Sequence, residues 1–398
     1  MGNCGMTFVG TGNACAAEAV RMCRPDLLSI YPITPQSSLT EKLASFCAKG
    51  ILDSEIVEVE GENSAMGMAI GASAAGGRVF TATSSMGLNF MYDTYTMAAG
   101  LRLPVVMVNV NREQSPPTGP FAGEQDIMSV RDAGWVQIHC ENCQEIFDSI
   151  LIAFRLAEDP DIQLPVTVSY DGFYLSYLAE GIQIPEQEEV DKYLFAVSNA
   201  TRPILWKPGK PMSFAILYFD PKGWAEMRYK HQAAFQRVKF KFAQIAEEFE
   251  EIFHRPYGGP IEEYRTGGAE IVLVSLGSHT GTAKVVVDQK RKQGVKVGLI
   301  KLRLFRPFPG EMLSRALKGI KAIGVLDRSV CFGWKGGHLF VELKSALFDR
   351  QHPIQIIDFI GGLGGADITE KHISRAIDLT HQAAEGRTIP EVTWLNLE

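Results

Sequence analysis

Three side chains in the first third of the chain have types and positions that can do chemistry: Glu62, Arg112 and Thr34. Each stands where an apolar, β-branched run gives way to turn formers, which is where an α/β sheet presents side chains to ligands. Glu62 lies in Glu60-Gly61-Glu62-Asn63, ahead of a run of Ala and Gly. A carboxylate there can give a short hydrogen bond to a ring nitrogen, and small residues spaced by four let a flat ring or another backbone come close. On spacing alone the alternative stands that Glu58, Glu60 and Glu62 form one solvated strand edge, with Glu62 favoured by a helix N-terminus. Arg112 closes Val108-Asn109-Val110-Asn111-Arg112. Its fork suits a carboxylate through two parallel N–H···O bonds, or it is a surface arginine paired with Glu113 or Asp126. Thr34, in Tyr31-Pro32-Ile33-Thr34-Pro35, has a stiffened backbone that aims its hydroxyl, or simply makes a rigid turn.

Other motifs carry less. Cys140-Glu141-Asn142-Cys143 has redox or metal spacing, but one pair supplies two of the four ligands a zinc or cluster site needs. Cys4, Cys15, Cys23, Cys47 and Cys331 are scattered, and structural thiols are the expectation. Gly277-Ser278-His279-Thr280-Gly281 and Gly361-Gly362-Leu363-Gly364-Gly365 are Gly-rich turns at strand ends. Neither has the spacing of a phosphate or dinucleotide loop.

The elements that must position these residues alternate between strand and helix. Leu27–Tyr31, Ile56–Glu60, Val79–Thr83, Val105–Val110 and Pro165–Tyr170 read as strands, and Ser37–Cys47, Ser64–Gly77, Gly87–Gly100 and Glu145–Ala157 as helices. Repeated βα units imply a mainly parallel sheet covered on both faces. Ser115–Gly123 is a long Pro/Gly-rich loop of the kind that is often functional. Thr201–Pro211 has no clear period. Ala225–Phe253 reads as one helix, whose Phe235, Val238, Phe242, Ile245, Phe249 and Ile252 give a narrow seam, docked on its own chain or on another subunit. A second doubly wound unit follows, with strands at Ile271–Leu276, Val295–Ile300, Ala322–Leu326 and Ile354–Phe359.

Bulk properties narrow the function class. At 398 residues, two domains and a connection are expected. A net charge of -7, with no basic stripe, argues against a nucleic-acid surface. The longest small-apolar run, Ala65–Gly76, is too short to span a membrane, and the N-terminus does not read as a signal peptide or myristoylation site. Seven cysteines, an odd number, fit reduced thiols in a cytoplasm.

Taken together, Tyr31-Pro32-Ile33-Thr34-Pro35, Glu60-Gly61-Glu62-Asn63-Ser64-Ala65, Thr81-Ala82-Thr83-Ser84-Ser85-Met86-Gly87 and Val108–Arg112 resemble the α-subunit of 2-oxoacid:ferredoxin (acceptor) oxidoreductases of the pyruvate, 2-oxoisovalerate and phenylglyoxylate type. Arg131-Asp132-Ala133-Gly134-Trp135, Leu302–Pro309, Val325-Leu326-Asp327-Arg328 and Phe359–Gly365 continue the likeness in order along nearly the whole chain. The resemblance implies an α/β fold in three parts. Residues 1–190 would form a doubly wound thiamine-diphosphate pyrimidine-binding domain, 191–265 a linker with a long helix, and 266–398 a transketolase-C-terminal-like α/β domain.

It also implies that Glu62 and Pro32 contact the cofactor, Glu62 through N1′ of the aminopyrimidine, and that Thr34 and Arg112 hold the substrate's carboxylate and ketone oxygens. The implied reaction is oxidative decarboxylation of a 2-oxoacid to acyl-coenzyme A and carbon dioxide. No Gly-Asp-Gly occurs, Asp171-Gly172 being preceded by Tyr170. The diphosphate and Mg²⁺ are therefore expected on a β-subunit, and [4Fe-4S] clusters on γ- and ferredoxin-like δ-subunits that pass electrons to ferredoxin or an NAD-reducing subunit. A non-oxidative decarboxylase subunit and a non-catalytic scaffold are the competing readings. After Arg112 the sequence departs from pyruvate-type members, and small residues at Gly119, Ala122 and Gly123 suggest room for a branched or aromatic substrate group.

Overall fold

The computed structural model describes residues 6–195, 209–210, 218–348 and 354–397. Cys4 and most of the 201–211 stretch lie outside them. The first sheet has seven strands in the order Leu304–Arg306, Val136–His139, Val166–Asp171, Val105–Asn111, Val79–Thr83, Leu27–Ile30, Glu55–Glu58. All pair in parallel except Leu304–Arg306, which runs antiparallel to Val136–His139. Val105–Asn111 sits mid-sheet and is buried at every residue, as its unbroken apolar composition requires of a strand covered on both faces. The second sheet runs Val392–Trp394, Gln355–Ile360, Ala322–Asp327, Ile271–Ser275, Val297–Leu302, Ile261–Tyr264, with only the last antiparallel. A separate two-stranded ribbon pairs Met6–Thr11 with Ala179–Ile184.

The two sheets are not separate bodies. Leu304–Arg306 leaves the second sheet's Val297–Leu302 strand and completes the edge of the first. One apolar core runs without interruption from Met66, Tyr95 and Trp135 to Val272, Phe305 and Leu339. Across the same boundary, the Gln125 side chain both donates to the Val330 carbonyl (3.1 Å) and accepts from its N–H (2.9 Å).

The long helix spans Pro221–Phe253, with Asp220 capping its first turn through Lys222 and Gly223 N–H. Its seam packs on its own chain: Phe242, Ile245 and Phe249 share a core with Phe154 and Tyr193. Other differences from the sequence pattern are local. The expected Gly87–Gly100 helix breaks at Met91 into Met86–Phe90 and Tyr92–Gly100. The small-residue helix begins at Glu62 rather than Ser64, and its preceding strand ends at Glu58. This separates the three carboxylates: Glu60 stays exposed and accepts from the Ser64 hydroxyl at 2.6 Å, whereas Glu62 turns inward at 6% exposure.

Candidate functional site

Both sheets are doubly wound, so each has a point where the chain order reverses and a crevice opens at the strands' C-terminal ends. In the first sheet this lies between Leu27–Ile30 and Val79–Thr83. The turns leaving those strands are Tyr31–Pro35 and Ser84–Gly87, and Glu62 opens the helix after the neighbouring strand. Thr34 and Glu62 thus come to one place in the fold, beside the Ser84–Gly87 turn.

The Glu62 carboxyl is buried and makes no hydrogen bond to another side chain among the described residues. Burial raises its pKa, opposed by its own backbone N–H. Space for it comes from Gly87: a Cβ there would stand 2.3 Å from Glu62 Oε1 and 2.5 Å from Thr83 Oγ1. The Thr83 hydroxyl is itself buried with no partner among the described residues. A buried carboxyl with a raised pKa, bonded to no other side chain among the described residues, suits a polar ring nitrogen as its missing neighbour. On the outer face of its helix, Gly67 and Gly71 have nothing within 4 Å of a would-be Cβ. Around that open face Met68, Met86, Phe90, Tyr92 and Met97 are exposed, an apolar surface of the kind that marks a protein interface. These features fit the pyrimidine end of thiamine diphosphate lying between this chain and another surface.

Gly87→Ala is expected to displace Glu62 and lower turnover of the assembled enzyme on the order of 100-fold, the cost of an ångström-scale misplacement. Steady-state kinetics on the variant checks this; an unchanged rate would mean that Glu62 is not held to a working position by this contact.

Arg112 is 8% exposed and belongs to the same crevice, not to a surface ion pair. Its Nε donates to the Gly119 carbonyl at 2.6 Å and its Nη1 to the Thr34 carbonyl at 3.1 Å. Asp126 accepts from the Arg112 backbone N–H (3.1 Å), Ser85 N–H (2.9 Å) and Asn109 Nδ2 (3.0 Å), tying the ends of two neighbouring strands together. Burial raises its pKa to about 6, against these hydrogen bonds. Glu113 is raised to about 7 by burial and by nearby Asp126. Thr34 and Pro32 are exposed at the crevice mouth.

The Ser115–Gly123 loop is folded down, with Gly119 on Arg112 and the Ala122 carbonyl accepting from Gly365 N–H at 2.7 Å. Its small residues serve differently from the expected opening for a substrate group. Ala122 is buried, and Gly123 makes way for Glu113, whose Oε1 would stand 2.0 Å from a Cβ. Only Gly119 has open space beside it.

Cys140 and Cys143 are buried and free, their thiols directed to Ser149 Oγ and the Leu178 carbonyl. Burial pushes the Cys140 thiol up. No group of three or more His, Cys, Asp or Glu able to hold a metal occurs among the described residues. The sequence named Asp126 and Glu113 only as possible surface partners of Arg112, and singled out neither the buried Glu124 carboxyl nor the part Gly87 plays under Glu62. The run of Glu and Asp after Arg112 was the available signal, since charged groups there must either be solvated or matched.

Residues 18–247 match the family described as pyruvate flavodoxin/ferredoxin oxidoreductase, thiamine diP-binding, and residues 269–373 match the pyruvate:ferredoxin oxidoreductase core domain II. The chain belongs to this family of thiamine-diphosphate-binding 2-oxoacid oxidoreductase chains. It is 40% identical over 98% of its length to the α-subunit of NADH-dependent phenylglyoxylate dehydrogenase from Aromatoleum evansii, covering 94% of that protein. It is 41% identical over 98% of its length to pyruvate synthase subunit PorA of Methanothermobacter thermautotrophicus, covering 97% of it. A 2-oxoglutarate:ferredoxin oxidoreductase from Magnetococcus marinus, solved with 2-oxoglutarate, coenzyme A and succinyl-CoA, has the same fold. There the TM-score is 0.73 at 20% identity, over 94% of this chain and 65% of that longer one. The chain is thus an oxidoreductase subunit, and no described helix is long and apolar enough to cross a membrane.

Proposed function

We propose that this chain is the α-subunit of a cytoplasmic complex that decarboxylates a 2-oxoacid oxidatively to acyl-coenzyme A and carbon dioxide. The observation that carries the reading is the Glu62 carboxyl, buried against Gly87 with no other side chain bonded to it among the described residues, at the reversal point of the first sheet. Bound thiamine diphosphate would supply the nucleophilic carbon and the electron sink.

The protein's part is positional. Glu62 and Pro32 hold the pyrimidine end, with Glu62 at N1′. Arg112, its fork fixed by the Gly119 and Thr34 carbonyls, presents its remaining Nη2 to the substrate carboxylate. The exposed Thr34 hydroxyl meets the ketone oxygen. Such preset donors act on charge as it develops, without moving. The uncovered apolar face around Gly67 and Gly71 receives a β-subunit carrying the diphosphate and Mg²⁺. Electrons leave through [4Fe-4S] clusters on γ- and δ-type subunits to ferredoxin or an NAD-reducing subunit. Within the chain, 1–190 is the pyrimidine-binding domain, 191–265 a linker with the long helix, and 266–398 the transketolase-C-terminal-like domain.

The test is anaerobic dye reduction by the co-purified complex with coenzyme A, across pyruvate, 2-oxoisovalerate, 2-oxoglutarate and phenylglyoxylate. Reduction with pyruvate, a branched or an aromatic acid is expected and names the substrate. Carbon dioxide release without any electron acceptor would replace this reading with a non-oxidative decarboxylase. A complex devoid of thiamine diphosphate would remove it.

A further inference from the structure

The second sheet has its own reversal point, between Ile271–Ser275 and Ala322–Asp327. The two Gly-rich turns, which the proposed reaction leaves without a role, both lie at this end of the sheet and meet there. Gly277-Ser278-His279 leaves one strand, Arg328 follows the other, and the Gly361–Gly365 turn closes the side. The result is a cleft of about 460 Å³ at the boundary with the first sheet.

Its floor is polar and underused. His279 is 5% exposed, and neither ring nitrogen has a partner in good hydrogen-bond geometry among the described residues, although the Leu326 carbonyl lies close enough to act on its proton. The Nε of Arg328 is likewise buried without a partner. The rest of that guanidinium is committed: Nη1 pairs with Asp171 at 2.6 Å, and Nη2 points to the Gly362 carbonyl at 3.4 Å. Asp171 also accepts from the Ser278 hydroxyl and N–H, so the Arg328 charge is balanced. Behind them, burial together with Asp171 keeps Glu124 protonated well above the usual carboxylate range. Burial and the Arg328 charge hold His279 down at about 3, so its ring is neutral and carries one N–H.

Two helices begin at this cleft, His279–Lys292 and Glu370–Ala384, and their first turns bring partial positive charge to it. The rim has the opposite character. Phe121, Phe173 and Tyr174 line it, with Phe121 and Phe173 centroids 5.1 Å apart and the Phe121 and Tyr174 side chains more than half exposed. Buried donors without acceptors need an explanation. Two such donors, two helix N-termini and a collar of aromatic rings suit a ligand with one carboxylate head and a flat apolar body.

We propose that this cleft is a second ligand site, which takes an aryl carboxylate with its head on His279 and Arg328 Nε and its ring among Phe121, Phe173 and Tyr174. It is distinct from the Arg112 crevice in its lining, which includes Ser278, His279 and Arg328 but neither Arg112 nor Thr34. A small-molecule site at a sheet's reversal point and between two structural units is where such sites are generally found.

Calorimetric titration of the purified complex with benzoate reads the site without turnover, since benzoate has no ketone to react. One benzoate per copy of this chain is expected at millimolar concentration or tighter, persisting in Arg112→Gln. His279→Leu removes a donor to a charged group and is expected to weaken it at least roughly tenfold. Phe121→Ser, at a residue 51% exposed, should weaken binding as well and guards against misfolding of the buried variant. Inorganic phosphate and acetate should bind far more weakly. Loss of binding in Arg112→Gln but not in His279→Leu would place benzoate in the reaction crevice and overturn the proposal. So would phosphate binding as well as benzoate, or no binding at all. None of these outcomes depends on whether the complex reduces a dye with any 2-oxoacid.

Discussion

Glu62→Gln, made in the intact complex, is expected to lower turnover by roughly 10²–10⁴-fold, the range that one positioned acid–base group contributes. The same substitution should leave thermal stability unchanged or slightly raised, and that contrast makes it diagnostic. Glu62 makes no side-chain bond that folding relies on, and burial raises its pKa, so the ionised form is the one the fold disfavours. A group with a raised folded pKa favours folding below its ordinary range and loses that contribution as pH climbs through the raised value. Glutamine removes this pH-dependent cost while keeping the shape that Gly87 accommodates. Steady-state rates and a melting curve on the same preparation decide it. Equal rates would make Glu62 a bystander and favour a scaffold role for the chain. A fall in both rate and melting temperature would point to a packing defect instead.

The largest stability effect is expected from Glu145→Gln. Glu145 begins the first-sheet helix Cys143–Ala157 and reaches across to Lys301, 3.0 Å away, and to Arg303, all three being at most 7% exposed. Lys301 also meets Glu141 at 2.7 Å and Glu262 at 3.0 Å. Burial alone would raise the Glu145 pKa, but Arg303 and Lys301 outweigh it and hold it at about 2. Removing this carboxylate leaves two buried cations short of a counter-charge, which costs about 3–5 kcal/mol for a buried pair broken on one side. Because the folded pKa is depressed, this stabilisation is complete above the ordinary carboxylate range. It fades as pH falls from about 4.5, the ordinary value, to about 2. Urea melts at neutral pH should separate the parent and the variant widely, and melts near the lower value should bring them together. A gap that stays constant with pH would show that the loss comes from shape and not from charge.

What could be read from the sequence followed from how local each signal was. Val105–Asn111 and the Pro221–Phe253 helix were visible because burial writes itself directly into their periodicity. Thr34, Glu62 and Arg112 were visible because each follows a strand, and the fold delivers strand ends to one crevice. Leu304–Arg306 and Val136–His139 were not, being three and four residues long and defined by their pairing, with each other and, for the second, with Val166–Asp171. The second cleft was hidden for a related reason. Asp171, Ser278 and Arg328 are neighbours only in space, over a hundred residues separating the first from the second. Gly87 is in a helix as its sequence suggested, but it is also the floor under Glu62, which no local pattern shows, and Gly123 looked like room for substrate and is room for Glu113.

The short strand Leu304–Arg306 has a further meaning for how this protein can move. By leaving its own sheet to edge the other, it fastens the two halves at a point where a hinge would otherwise lie. Rotation of one half against the other would have to break that ladder and split an apolar core common to both. Access to either crevice therefore falls to local segments, above all the 115–123 loop that touches Arg112 at one end and the Gly361–Gly365 turn at the other. That loop borders both crevices, held by the Arg112 side chain on one side and by the Gly365 N–H on the other.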